Sequence, residues 1–388
     1  MNSIVFKLYN PFSQFGTVKE IWADLLNKCP HSYYLAWPWT ELWLKSLPTD
    51  CKLFLAVGYS NESPVIAFFL GSRTTTRHRF LKFRQLALNQ TLIPHFDSVY
   101  IEYNSMLIDP KIEISLESIL EGIPLEWDEF LMTRCSSIYQ PNIIMNGNLN
   151  KKYDVKTEQA RSYYVDLEKI RRNNYDYLAL LSQKRRSKIR RTIKEYEKIG
   201  EIRIRIAETV EEALEILDEL IMLHQKRWTE RGSRGVFSSE YIIDFNKDLV
   251  SKRFEYGEIQ LIKISAGDHT LGCLYTIVYN QKVLGGQCGF DYIPGNLYSP
   301  GIVCHYYSIL HNAYIGLSSY DFMDGEAQYK ESLSTNYNEI RTTVIHKRNI
   351  KFRIENNLAK LLRMFRKENV TAGEKGQDDA GEEAARKT

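Results

Sequence analysis

The chain has no excess of charge of either sign: 51 Lys and Arg stand against 48 Asp and Glu, a formal net charge of +3 over 388 residues. That removes a global electrostatic case for nucleic acid or for an acidic partner, so charge matters only locally. No apolar run approaches the roughly 20 residues that a membrane helix needs; Val65–Leu70 is far too short. Met1–Pro11 has no basic start followed by an apolar run, so no secretory signal is expected. The six cysteines, Cys29, Cys51, Cys135, Cys273, Cys288 and Cys304, have neither paired nor metal-type spacing. They are expected to be reduced and mostly buried in a cytoplasmic protein without a bound metal, and none stands out as a nucleophile. What remains is a chain with 44% hydrophobic residues and many tyrosines. That is ordinary globular composition, with length for two domains.

In the first half, Ile4–Leu8 reads as an edge strand and Thr17–Cys29 as an amphipathic helix opened by a Thr17/Glu20 capping box. Trp39 and Trp43 fall four apart, on one helical face, and are expected in a core. Leu53–Val57 and Val65–Leu70 flank the turn residues Ser60–Pro64 and predict a hairpin. Arg73–Arg84 is basic, read as a strand with one wet face or as a groove wall. Ser115–Leu120 predicts a short helix and Glu126–Met132 a strand; a domain junction is expected near Asn146–Thr157.

Tyr175–Gly200 then predicts one long helix, rich in Lys184, Arg185, Arg186, Lys188, Arg190, Arg191 and Lys194. Such a run suits a solvated connector first, a positive wall beside a cleft second, and nucleic acid third. Ile202–Ile206 alternates like a strand, and Thr209 with Glu212 opens a helix to about Glu230, its seam being Ala213, Leu217, Leu220, His224 and Trp228. A further helix ends near Tyr256, and Glu258–Ile264, Leu271–Tyr279 and Val283–Phe290 predict an antiparallel meander. Ile340–His346 is a last strand and Ile350–Arg366 a closing helix. Thr371–Thr388 has no apolar stripe and is expected to be disordered.

The most informative stretch is Val283–Lys330. Gly285, Gly286 and Gly289 inside a short apolar segment predict a bulge or a close backbone approach. Pro294 to Gly301 is a breaker cluster, with Ser299 as a cap and Pro300 at the first position of a helix that Gly316 can end. Ser319–Met323 follows as a strand. Strand, helix and strand at this spacing make a parallel right-handed crossover, whose open edge presents N–H groups and a positive dipole end.

The element order of the second half resembles the GNAT acyltransferase superfamily. The residues sharpen the likeness to CelD-like GNAT proteins, related to the Fem-type transferases that build peptidoglycan bridges. The stretches that carry it are Arg185–Gly200, Leu223–Phe237, Gly289–Gly301 and Tyr320–Lys330, with Ala36–Leu47 at the start of the first half. The resemblance implies an α+β fold: two GNAT-like domains in tandem, each a mixed, mostly antiparallel sheet flanked by helices. The expected limits are 1–155, a connector 156–200, the acyltransferase domain 201–348, a C-terminal helix 349–368 and a tail 369–388. It implies transfer of an acyl group, acetyl in the first instance, from acyl-CoA to an amine or hydroxyl of a sugar or amino-acid acceptor, in envelope polysaccharide metabolism. The segment before the crossover helix keeps Ser299 and Gly301 but has no basic residue and no second glycine. Aminoacyl-tRNA therefore stands as an alternative donor, and a non-catalytic scaffold as an alternative role. Acceptor, acyl length and oligomeric state stay open.

Acyl transfer needs a base for the acceptor, donors for the carbonyl oxygen and an acid for the leaving group. Gly285, Gly286 and Gln287 are the expected main-chain donors where strands part. Ser299, Gly301 and Ile302 are expected at the donor's other end. Asp324 or Glu326 is the expected base, with Asp291 a third candidate or a substrate contact; Asp321 is expected to satisfy turn N–H groups. Tyr329 is the candidate acid. Lys330 stands where Fem-type enzymes carry a lysine near the acyl or phosphate group. His224 as base, Arg227 on an acidic or sugar acceptor and Trp228 against a ring form a second set, balanced against plain core packing.

Overall fold

The computed structural model describes residues 4–99, 101–139, 143–144, 149–295, 297–325, 327–355 and 357–358. Glu326, the expected tail and most of the expected closing helix lie outside the described residues; 350–355 and 357–358 are helical. The first half runs β1 (Val5–Tyr9), α1 (Phe15–Leu26), α2 (Trp37–Ser46), β2 (Leu53–Ser60), β3 (Ser63–Arg77), β4 (Leu81–Leu88), β5 (Leu107–Ile108), β6 (Ile114–Ser115), α3 (Leu116–Gly122), β7 (Glu129–Cys135), β8 (Ile143–Ile144), α4 (Leu149–Lys152) and β9 (Tyr153–Asp166). The second runs α5 (Leu167–Arg172), α6 (Gln183–Glu197), β10 (Ile202–Ile206), α7 (Val210–Glu230), α8 (Glu240–Arg253), β11 (Ile259–Ala266), β12 (His269–Tyr279), β13 (Lys282–Phe290), α9 (Pro300–Tyr314), β14 (Ser319–Asp324), α10 (Gln328–Leu333) and β15 (Asn336–Lys347).

Except for β6 and β8, which pair with each other, the strands form one mixed, mostly antiparallel sheet in the order β1-β2-β3-β4-β7-β15-β9-β14-β13-β12-β11-β10, with β5 beside β3. Its two halves share a plan. Each is a meander of four antiparallel strands whose last member takes a parallel neighbour, β4 with β7 and β13 with β14. They are joined by an exchange: β9 leaves the first half to pair with β14, and β15 leaves the second to pair with β7, while β9 and β15 pair along Tyr153–Tyr164 and Asn336–Lys347. The expected limit between 155 and 156 therefore falls inside β9.

Helices cover both faces. α1, α2, α7 and α8 pack into one apolar layer, where Trp39 and Trp43 stack at 6.2 Å and both are buried. On the opposite face α3 closes the first half, and α5, α6 and α9 cover the second. The Thr209 hydroxyl accepts from the Glu212 N–H at 3.2 Å, and Glu212 accepts from the Glu208 N–H at 2.9 Å, which fixes the start of α7.

Several expectations need correction. Thr17 caps nothing: α1 begins at Phe15, because Asn10 and Gln14 organise the preceding turn. Arg73–Arg84 is two strands and a turn, with His78 and Arg79 at positive φ; Arg77 is held by Glu129 at 2.9 Å. The long helix at Tyr175–Gly200 is only α6, opened by the Ser182 hydroxyl, since Leu178–Leu180 is a separate turn. Ser299 precedes α9 without a side-chain cap bond. Among the described residues no helix is long and apolar enough to cross a membrane.

Candidate functional site

β13 and β14 pair only over Lys282–Leu284 and Ser319–Asp321, and then part. Each strand carries one extra residue at that point. On β13, Gly285 faces Thr276 and Gln287 faces Tyr275, so Gly286 bulges out, as its glycines predict. On β14, Asp321 faces Tyr164 and Asp324 faces Ser162 of β9, and Met323 adopts a φ of +61°. A Cβ on Gly285 would come within 3.1 Å of the Asp321 carbonyl oxygen, so only glycine leaves the mouth of the gap clear.

Named side chains hold the bulge on β14. Buried Asp321 accepts from the Ser162 hydroxyl at 2.7 Å, the Met323 N–H at 2.8 Å and the Tyr103 hydroxyl. It is a structural brace, in line with its expected role. Lys330 Nζ donates to the carbonyls of Met323 at 3.2 Å and Asp324 at 2.5 Å. The first half reaches in as well. Glu102 accepts the Asp324 N–H at 2.8 Å, and Arg134 Nε donates to the Asp324 carboxylate at 3.1 Å.

A cavity of about 520 Å³ occupies the gap. Its lining comes from both faces of the sheet. His224, Arg227, Trp228 and Arg231 belong to the end of α7, whereas Phe290, His305, Tyr320 and Tyr329 belong to the α9 side. The cavity thus passes through the sheet where its ladder is open. Gly285, Gly286, Gln287, Asp324 and Lys330 line it too, so the structure brings together most of the residues singled out by sequence. Asp291, Ser299, Gly301 and Ile302 do not line it. Asp291 pairs with Lys226 at 2.9 Å and Ile302 is in the core. A Cβ on Gly301 would sit 3.0 Å from the Phe290 ring, so this glycine lets α9 start against Phe290.

Electrostatics separate the roles further. Burial pushes the Cys288 thiol up to about 11, so it is no thiolate at neutral pH. Burial lowers His224, whose Nδ1 meets the Gln225 side chain at 3.2 Å. Burial also lowers Lys330, against the pull of Glu102, Asp324 and Asp321, and raises Tyr329. The Arg227 guanidinium lies 4.2 Å from the Tyr292 ring centroid, and its buried Nε has no hydrogen-bond partner among the described residues.

Among the lining residues that sequence reasoning missed, Glu102, Arg134 and His305 carry titratable or charged groups. Glu102 and Arg134 come from the first half, and no local pattern marks them. His305 could have been found from its place on the buried stripe of α9 with Ile302 and Ile309. Its Nδ1 is 3.0 Å from the Tyr320 hydroxyl, its ring stacks on Tyr329 at 5.6 Å, and its buried Nε2 has no partner among the described residues. Burial brings it down to about 3, so it stays neutral.

No curated protein matches the sequence. Among solved structures, FemX is 9% identical, with 84% of this chain and 95% of that one covered at a TM-score of 0.48. L-PGS from Bacillus licheniformis is also 9% identical, with 88% and 96% covered and a TM-score of 0.45. A tandem GNAT protein from the clavulanic acid biosynthesis pathway is 11% identical, with 88% and 98% covered and a TM-score of 0.41. Residues 183–331, which run from the start of α6 into α10 and contain the parted strands, match the family described as an acetyltransferase (GNAT) domain, and this supports the GNAT superfamily for the second half of the chain.

Proposed function

We propose that the protein is an acyltransferase of the CelD-like GNAT type. It moves an acyl group, acetyl in the first instance, from an acyl-CoA thioester to an amine or hydroxyl of a sugar or amino-acid acceptor in envelope polysaccharide metabolism. One observation carries the reading: a cavity that crosses the sheet where β13 and β14 part. A thioester and an acceptor can enter from opposite faces and meet beside Gly285–Gln287. From Gly285 onward that edge of β13 has no strand partner among the described residues, so its main chain is available to the carbonyl oxygen as charge develops there. Tyr329, kept protonated by burial, supplies a proton to the leaving sulfur. Lys330 fixes the β14 turn and adds positive charge beside it. Arg227 and Trp228, with His224 behind them, hold the acceptor at the α7 mouth.

The thioester end of the donor fits the gap. Its phosphates would be held at the start of α9, by the main chain at Ser299 and Gly301 and by the helix dipole, where Pro300 removes one N–H, the Ile302 N–H donates to the Ser299 carbonyl at 3.1 Å and no basic residue stands. Calorimetry with acetyl-CoA and longer acyl-CoAs tests the reading; absence of binding to every thioester sinks it. A second reading, with aminoacyl-tRNA as donor, is favoured by α6. None of Lys184, Arg185, Arg186, Lys188, Arg190, Arg191 and Lys194 has an ion pair among the described residues. Binding of charged tRNA that weakens with salt and disappears when these residues become Ala would establish it.

A further inference from the structure

We propose that Glu102, from the first half of the chain, takes the proton of the acceptor in the second half's cavity, and that the acceptor is a primary amine. The proposal rests on the acyl-transfer reading above. Glu102 lines the large cavity and also an adjoining pocket of about 80 Å³ bounded by Tyr34, Trp39, Tyr275 and Gly285–Gln287. It therefore stands at the junction of the two spaces, beside the bulge on β13. The other described carboxylates near the gap are committed. Asp324 receives Arg134, and Asp321 receives three donors and is absent from the large cavity's lining. Glu102 accepts the Asp324 N–H through Oε2, which fixes its position.

The charged and titratable groups around it are Arg134 on β7, Asp324 on β14, Lys330 on α10, and Tyr34 from the first-half layer. Burial raises Glu102 to about 7, against the pull of the Asp324 N–H, Arg134 and Lys330. A base poised near neutrality suits an ammonium group, whose proton is held at about 10.4 in a lysine-like amine. An alcohol proton is held far more tightly, and a carboxylate in the cavity attracts the ammonium form but not an alcohol.

The step balances as follows. The ammonium gives one proton through Glu102 to solvent. The nitrogen lone pair then forms the C–N bond as its second proton passes to Glu102. The C–S bond breaks, its electron pair stays on sulfur, and sulfur takes a proton from Tyr329, which Glu102 or solvent restores. The products are an amide, a free thiol and one released proton.

Glu102→Gln is the test, because an amide keeps the length and an oxygen for the Asp324 N–H. Thiol release from acetyl-CoA is followed from pH 5.5 to 9 with a panel of primary amines and matched alcohols. The expected result is turnover with amines only, rising through about pH 7. In the variant kcat falls by about 10²- to 10⁴-fold with the pH limb gone and KM for acetyl-CoA unchanged. An unchanged kcat and pH profile, or equal turnover of alcohols, overturns the proposal alone. Failure of wild type to bind acetyl-CoA in calorimetry removes the acyl-transfer reading and this proposal with it. Carbon-13 NMR of labelled glutamate gives a readout apart from turnover. A carboxyl titrating near 7 should vanish in Glu102→Gln; if the lost signal titrates near the ordinary value of about 4.3, Glu102 is not the base.

Discussion

In the first half, β4 and β7 part after Ala87 and Leu131, as β13 and β14 part after Leu284 and Asp321 in the second. The outcomes differ. Between the diverging β4 and β7 the chain inserts Asn104, which is wholly buried. Its N–H donates to the Arg134 carbonyl at 2.9 Å, its side-chain amide donates to the Leu88 carbonyl at 3.0 Å, and its side-chain oxygen accepts from Asn89 at 2.7 Å. The ladder's open edge is thereby satisfied by protein. In the second half no segment among the described residues returns between the strands, and the same divergence becomes a cavity. The filled half then serves the open one: Glu102, two residues before Asn104, and Arg134, which receives Asn104, both reach Asp324. A parting of strands thus leaves main-chain groups open only where no described segment pairs with it.

Filling the open gap should have the largest effect. Gly285→Val places a branched side chain against the Asp321 carbonyl, at a spot where a Cβ already has only 3.1 Å. Overpacking of this kind costs about 1–3 kcal/mol of stability, so the variant's fold is checked by circular dichroism. Thiol release from acetyl-CoA should fall by at least about 10²-fold, because misplacement near the reacting carbon is that costly. Full turnover in a folded Gly285→Val protein would mean that the gap is not where transfer occurs.

Emptying the filled gap comes next. Asn104→Ala leaves the buried Leu88 carbonyl and the Asn89 amide each short of a partner. At about 1–3 kcal/mol per unsatisfied buried group, denaturant unfolding should show a loss of about 2–6 kcal/mol. Turnover should fall too, through the displaced Glu102 and Arg134, although Asn104 is not itself part of the cavity lining.

The contrast also shows what could be read in advance. The second half was legible because its signals are local: the Thr209/Glu212 box, the meander turns and the Gly285–Gly286 bulge all act within a few residues. The first half's share of the site was not. Glu102 and Arg134 gain their roles only because β9 and β15 change places at the centre of the sheet, and β9 lies where the sequence suggests a junction and a connector. Asp291 was misplaced for the opposite reason. It follows β13 directly, but chain proximity does not decide on which side of a strand end a side chain emerges.

Proton uptake offers a finer probe of the same contrast. His305 stays neutral down to about pH 3, whereas an unfolded histidine charges near 6.5. The unfolded chain therefore binds more protons between those values, and His305 makes the fold less stable as pH falls through that window. His305→Phe keeps a ring beside Tyr329 and removes the titration. Unfolding measured at pH 7.5, 6 and 4.5 should show the variant gaining on wild type by up to about 1.4 kcal/mol per pH unit. Glu102 runs the other way. Its raised value makes the carboxylate form costly, so Glu102→Gln should gain on wild type as pH rises from about 4.5 to 7. A protein whose wild-type and variant curves stay parallel in both tests would have a wet, open gap rather than a dry one.

The smallest effect is expected at Asp291, just past the end of β13. Its carboxylate pairs with Lys226 at 2.9 Å and stands 3.8 Å from His269, on partly exposed groups. Surface pairs of this kind contribute about 0–1 kcal/mol. Asp291→Asn should therefore leave stability within about 0.5 kcal/mol and thiol release within about twofold of wild type. The neighbouring Tyr292 does line the cavity and carries the Arg227 guanidinium on its ring, so the boundary of the site is drawn between adjacent residues. A marked drop in acceptor KM effectiveness for Asp291→Asn, with the fold intact, would move that boundary outward to Lys226. It would also make the α7 mouth, rather than the parted strands, the part of the second half that chooses the acceptor.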